Sequence, residues 1–207
     1  MLSSEILQVS GKPQYNEAEV IDAAMNAFWR HGYTATSINV LTESTGLSRS
    51  SLYQRFQDKD GLFQIVLATY TDRLMRRMHS AEGSTARASL EALLRGLLPM
   101  ASPRPLGCLL SRSCAELVDL PAASQQAVLA GVNRQRDVLM NLLREALTAG
   151  ELPAGTDIDA LAWHFLGVMQ AVVNFPLAGA SPDALERMIA VAMLAWPEAA
   201  AMAQTES

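Results

Sequence analysis

The sequence predicts an all-α protein of about nine helices, and three observations carry that reading. Ala, Leu, Met, Glu, Gln and Arg dominate the 207 residues, and β-branched residues are sparse outside short stretches. Those dominant types lose least on entering a helix. Apolar residues recur three and four apart rather than in alternation. Side chains able to cap a helix stand where these runs begin, and glycines stand where they stop. Half of the residues are apolar and 18% are charged, the composition of a folded domain with a sizeable core.

In chain order, residues 1–15 are polar, contain Gly11 and Pro13, and are expected to form a flexible arm. Asn16 caps a first helix, with Glu19 as capping partner. Val20, Ala23, Ala24, Ala27 and Phe28 form its apolar face, and Gly32 ends it. Thr36 or Ser37 caps a second helix to about Thr45, and Gly46 makes the turn. Ser48 caps a short third helix reaching Phe56, and Asp58 caps a long fourth from Lys59 to about Ser80. Residues 81–86 read as a break. A fifth helix runs from Ala88 to Met100, followed by a loop marked by Pro99, Pro103 and Pro105. A sixth spans Gly107–Leu120, a seventh is capped by Ser124 and closed by Gly150, and an eighth is capped by Thr156 and runs to about Phe175. Ser181-Pro182 opens the ninth, to Trp196. Residues 199–207 read as a frayed tail.

Thr36–Lys59 is the informative segment: two short helices joined by a tight glycine turn match a helix-turn-helix. On its second helix Leu52 and Phe56 face inward, with Ile38 and Leu41 as partners. Ser50, Ser51 and Gln54 then point outward, flanked by Arg49 and Tyr53. Such a face suits the major groove: Arg pairs with guanine, Gln with adenine, and Ser with either or with phosphate. The helix start at Ser48 also presents free N–H groups to the backbone. Charge does not announce this role. The net charge is −5, and residues 1–60 carry five cations against seven carboxylates.

Residues 11–70 resemble the DNA-binding domain of the tetracycline-repressor family of regulators. The resemblance rests on Ala27-Phe28 with Gly32-Tyr33, on Ala35-Thr36-Ser37-Ile38, and on Thr45-Gly46-Leu47-Ser48. Ser51-Leu52-Tyr53-Gln54-Arg55-Phe56 and Asp58-Lys59-Asp60-Gly61-Leu62 complete it. It implies a dimeric repressor that leaves a double-stranded DNA operator when a small-molecule effector occupies its C-terminal body. It also implies that Thr36, Ser37, Tyr53 and Lys59 hold phosphates, and that Arg49, Ser51 and Gln54 reach bases. Gln54 stands where the family often has His, Tyr or Trp. The implied organisation is an arm (1–15), a DNA-binding unit (16–60) and a ligand-binding and dimerisation unit (61–198, with the helix from Lys59 as connector).

In the body, the eighth helix is apolar nearly all round. Leu161, Phe165, Val168, Val172 and Phe175 form a bulky stripe for the protomer's own core. Ala160, His164, Gly167, Ala171 and Asn174 form a smaller one that admits a partner helix. The ninth adds Leu185, Met188, Ile189, Ala192, Met193 and Trp196 on one side, and Ala184, Val191 and Ala195 on another. Two such helices expose too much apolar surface for a monomer, and the family dimerises through its last two helices, so a homodimer is expected.

Residues 107–117 resemble, over that one short block, family members that respond to electrophiles or small unsaturated acids. Cys108 is then either a sensing thiol beside Arg112, four residues on along the same face, or a small buried hydrophobe. Cys114 and Met140 read as core, as does Met100. Trp163, His164, Met169 and Asn174 are candidate pocket residues on the apolar helix; His164 reads equally as a hydrogen-bonded core residue.

The two cysteines lie about 240° apart on a helix and cannot bridge within it. With no secretion signal near Met1, a reduced cytoplasmic location is expected. The apolar run Ala160–Val173 is shorter than the roughly 20 residues of a membrane span, so no membrane is expected. His31, His79 and His164 lie in separate segments, without metal-ligand spacing, phosphate loop or nucleophile elbow. No metal, cofactor or catalysis is expected. Two other readings stay open: a helical protein-interaction module without DNA binding, which the acidic charge favours, and a small all-α enzyme.

Overall fold

The computed structural model describes residues 15–99 and 105–198. The expected arm (apart from Tyr15), the placements of Met100 and Pro103, and the tail at 199–207 lie outside the described residues.

Nine α-helices and no strand are found among those residues: α1 Glu17–Ala35, α2 Ile38–Thr45, α3 Arg49–Phe56, α4 Lys59–His79, α5 Ala86–Gly96, α6 Leu109–Ala115, α7 Ala122–Thr148, α8 Ile158–Asn174 and α9 Pro182–Ala192. Single 3-10 turns follow α6, α8 and α9.

Most helix starts follow local chemistry. The Asn16 carboxamide accepts from Ala18 N at 3.1 Å and Ser181 Oγ accepts from Ala184 N at 3.2 Å. Two expected caps differ. Ser124 lies buried within the first turn of α7 and donates to Asp60, while the helix begins after Pro121. Thr156 donates to Pro153 O at 2.7 Å, and Asp157 caps α8 instead, accepting from Ala160 N at 3.0 Å.

The fifth helix starts two residues early because Thr85 caps it, and the Glu151 carboxylate accepts from Ala86 N and Arg87 N at 3.0 and 3.2 Å. The single helix expected over 107–120 is split into α6 and a 3-10 turn, Leu117–Asp119, at Glu116.

Two apolar clusters form the interior. One joins Phe28, Leu41, Leu52, Phe56, Phe63 and Val66 to Leu109 and Leu110 of α6. Within it, the Phe63 ring centroid lies 4.8 Å from that of Phe28 and 4.9 Å from that of Tyr33. The other joins Leu90, Leu94, Leu139, Leu143, Phe165, Met169, Ile189 and Trp196. Helix α4 walls both, giving Leu62–Leu67 to the first and Met75 and Met78 to the second.

Helix α8 and its 3-10 turn make 21 continuous residues, Ile158–Ala178, long and apolar enough by length and composition to cross a membrane. The apolar stretch is thus longer than the sequence reading allowed. Its inner side, Ala162, Phe165, Leu166, Met169 and Val172, is buried against the body, while 28% of its apolar window as a whole is buried within the protomer.

Between α3 and α4 the chain reverses at Gln57, which holds φ 70° and ψ −58° while Asp58 N donates to Phe56 O at 2.9 Å. This γ-turn conformation is costly for a side-chain-bearing residue. Gln57→Gly is expected to raise stability by about 1 kcal/mol, strain relief of about 1–3 kcal/mol outweighing the added entropy of the unfolded chain. Urea unfolding with an unchanged m-value checks it; a loss of stability would show the turn to be unstrained.

Candidate nucleic-acid interface

Two serines and one glycine set the geometry of α2 and α3. Ser37 Oγ accepts from Val40 N at 3.3 Å and starts α2. Gly46, at φ 70° and ψ 5°, ends it in the left-handed conformation that an L side chain adopts only at a cost. Ser48 Oγ accepts from Ser51 N at 3.1 Å and starts α3. Leu52 and Phe56 are buried with Leu41 and Leu47, which turns the opposite face of α3 outward.

That face carries Arg49, Ser50, Tyr53 and Gln54, all exposed. Ser51 is half-buried, not outward as expected, and its hydroxyl lies 2.9 Å from Ser48 Oγ. Arg49 donates to the Asn39 side chain of α2, so its guanidinium is held across the mouth of the hairpin. Arg55 donates to both oxygens of Glu17, at 3.0 and 2.6 Å, and clasps α3 to the start of α1. Neither Asn39 nor this clasp was foreseen. Nothing local signals a contact 38 residues away in sequence.

Two phosphate candidates are placed differently. Thr36 is fully buried and donates to Gly32 O at 2.5 Å. Its hydroxyl is occupied in closing the end of α1 and is turned away from any phosphate, contrary to expectation, while Ser37 holds the exposed place beside it. Lys59 is half-buried, donates to Tyr33 O at 3.1 Å and lies 4.0 Å from the centroid of the Tyr33 ring. Burial pulls its ammonium below the ordinary lysine value, and Glu116 and Asp60 oppose that pull. The ammonium has three N–H donors, so a phosphate can still be reached beside the carbonyl.

Behind this site sits a contact between the two halves of the chain. Glu116, at the end of α6, accepts from Tyr33 N at 2.6 Å. Gly32 makes room for it: at φ 81° and ψ 173°, a Cβ there would stand 2.4 Å from Glu116 Oε1.

In the body, the expected pocket residues do not converge. Cys108 is buried, and Arg112, four residues on, is exposed. Cys108 is the residue before α6, with extended backbone, so the one-face geometry of a helix does not apply to the pair. Trp163 and His164 lie on the outer side of α8, whereas Met169 is buried in the core. Cys114 is exposed rather than core.

Asn174 does meet Cys108: its Oδ1 accepts from Cys108 N at 3.2 Å. Its amide donates to Gln170 O at 2.8 Å, and Ser111 donates to the Gln170 side chain. Gln170 Nε2 in turn donates to Gln135 Oε1 at 3.2 Å. Tyr70, donating to Cys108 Sγ at 3.4 Å, closes the row. Burial and the neighbouring thiol push the Tyr70 phenol well up, which keeps it a donor. This half-buried polar seam ties α4, α6, α7 and α8. Its members, spread over more than a hundred positions, were invisible as a set in the sequence.

Comparisons with known proteins agree with this geometry. Residues 20–66 match the family model for bacterial regulatory proteins of the tetR family, and residues 86–192 match that for the tetracyclin repressor-like C-terminal domain. The HTH-type transcriptional repressor ComR of Escherichia coli is 29% identical over 195 residues, covering 91% of this chain and 92% of that protein. The structure of a cysteine mutant of the regulator CifR, complexed with 26-bp operator DNA, superposes with a TM-score of 0.80 at 27% identity, over 90% of this chain and all of that one. Reduced E. coli NemR shares the fold, with a TM-score of 0.75 at 20% identity, over 89% of this chain and 98% of that one.

Proposed function

The chain belongs to the tetracycline-repressor family of bacterial regulators, and from that we propose that it represses transcription by binding a palindromic operator as a homodimer and leaves the DNA when its body binds a small molecule. The observation that carries the reading is the outward polar face of α3, held by buried Leu52 and Phe56 and started by the Ser48 cap. Two such helices, one per protomer, would enter successive major grooves roughly 34–36 Å apart. Ser37, Ser48, Tyr53 and Lys59 serve phosphates in this reading, and Arg49, Ser50 and Gln54 face bases. The chain acts in the cytoplasm, where the chromosome is. Footprinting of genomic fragments with the purified protein tests it: protected palindromes support it, and uniform binding to all fragments overturns it.

Arg49→Ala is expected to lose about 1–3 kcal/mol of discrimination at a single base position, because Asn39 presents that guanidinium already oriented. Affinities against an operator set mutated base by base check it; an equal loss on every sequence makes Arg49 a phosphate contact.

Lys59→Ala is expected to weaken binding to all sequences and to reduce the slope of log K against log salt by about one. An unchanged slope would restrict Lys59 to its contact with Tyr33 O.

A further inference from the structure

A cleft of about 170 Å³ opens between α1 and α4, on the other side of Tyr70 from the polar seam and sharing no residue with the α2–α3 hairpin. Each helix gives one face to it. Helix α1 contributes Asp22, Met25 and Trp29, and α4 contributes Tyr70, Arg73, Leu74 and Arg77. The volume is that of roughly five or six waters, enough for one small ring with a charged group.

Its chemistry is selective. The Trp29 indole N–H is buried and has no hydrogen-bond partner, an arrangement that forfeits its hydration unless an acceptor enters. Two guanidiniums border the same space. Arg73 Nη1 stands 2.6 Å from Asp22 Oδ1, but Asp22 Oδ1 has no aligned hydrogen bond, so the pair is held by charge alone. Arg77 donates to Gly96 O, a neutral acceptor, and forms no ion pair among the described residues. The residues lining the cleft therefore include one cation without a carboxylate partner and, at the cleft wall, one unfilled indole donor. Apart from the exposed Asn26 at one edge, its other walls are apolar or aromatic: Met25, Leu74, and the Trp29 and Tyr70 rings, packed edge to face with centroids 5.1 Å apart.

We propose that this cleft binds a small aromatic carboxylate, its ring between Met25, Leu74 and the two aromatic side chains, its carboxylate accepting from Trp29 Nε1 and the Arg77 guanidinium. Because α1 belongs to the DNA-binding half and Tyr70 touches Cys108 at the start of α6, occupancy is coupled to operator binding. The coupling rests on the repressor reading above; the binding does not.

Calorimetric titration of the full-length protein with sodium benzoate tests both. Benzoate is expected to saturate one site per protomer, with benzyl alcohol (ring without charge) and sulfate (charge without ring) at least about tenfold weaker. Trp29→Phe, which keeps the ring and removes the donor, and Arg77→Gln are each expected to weaken benzoate about tenfold. Arg77→Lys, with the charge kept, should recover part of the loss, and thermal melts confirm that each variant is folded. Operator affinity should shift on saturation by the same factor as benzoate affinity shifts on operator binding. Absent saturation, equal binding of either control compound, or unchanged binding by both variants overturns the site. Benzoate binding with no operator shift overturns the coupling. Benzoate binding by a protein that binds no operator even in the absence of benzoate would instead overturn the repressor reading and leave the site standing.

Discussion

Gly32→Ala is expected to destabilise the protein by about 3–5 kcal/mol, lowering the melting temperature by roughly ten degrees or more. Two effects add. The backbone at Gly32, φ 81° and ψ 173°, lies in a region that side-chain-bearing residues essentially do not enter, worth about 1–3 kcal/mol. The new Cβ would also meet the Glu116 carboxylate at 2.4 Å and force it off Tyr33 N, losing a charge-assisted bond of about 1.5–3 kcal/mol. Glu116→Ala separates the two, because it removes the carboxylate and leaves Gly32 unstrained. That variant should retain the larger part of the stability while loosening the join between α1 and α6. An alanine at 32 that melts within about 1 kcal/mol of the natural protein would show that the chain relaxes there freely.

Val191→Glu is expected to weaken dimerisation by at least about a thousandfold and, with it, binding to a two-half-site operator. Val191 and Leu194 are 66% and 79% exposed on the protomer, and Leu177 is 64% exposed at the turn after α8. These large aliphatic residues, left open on adjoining elements, form the surface that the second copy would cover in the proposed dimer. In a symmetric dimer each substitution occurs twice, and a buried unpaired charge costs about 3–5 kcal/mol. Because Val191 is exposed on the single protomer, the variant should fold normally, as helical circular dichroism would verify. Sedimentation and operator titration then give the answer: a dimer of natural affinity would move the proposed interface off α8 and α9.

The sequence revealed the elements governed by near neighbours. Asn16, Ser48, Asp58 and Ser181 cap as expected because each bond spans two or three residues. The inward pair Leu52 and Phe56, and the outer placement of Ala160, His164 and Gly167 on α8, follow from helical periodicity alone. Errors came where a distant group competed. Asp60 takes the Ser124 hydroxyl, 64 residues away, so that serine no longer serves as a cap. Glu116 turns to Tyr33, 83 residues away, where the expected sixth helix breaks. Thr36 reads as a surface hydroxyl until the fold of α1 places Gly32 O beneath it. Phe175, assigned to the inner stripe of α8, is half exposed because α8 gives way to a 3-10 turn at that residue, where the 3.6-residue period no longer applies.

The engagement of the interface cations bears on how such a regulator finds its target. Arg55 is clasped by Glu17, Arg49 leans on Asn39, and Lys59 is drawn toward Tyr33, all within a chain of net charge −5. Indiscriminate attraction to DNA grows with the number of uncompensated cations facing it; Glu17 neutralises Arg55 and the chain as a whole is acidic, so random stretches of chromosome should retain this protein weakly. Millions of decoy sites then sequester few molecules, and occupancy of the true target depends on the ratio of the two affinities multiplied by site abundance.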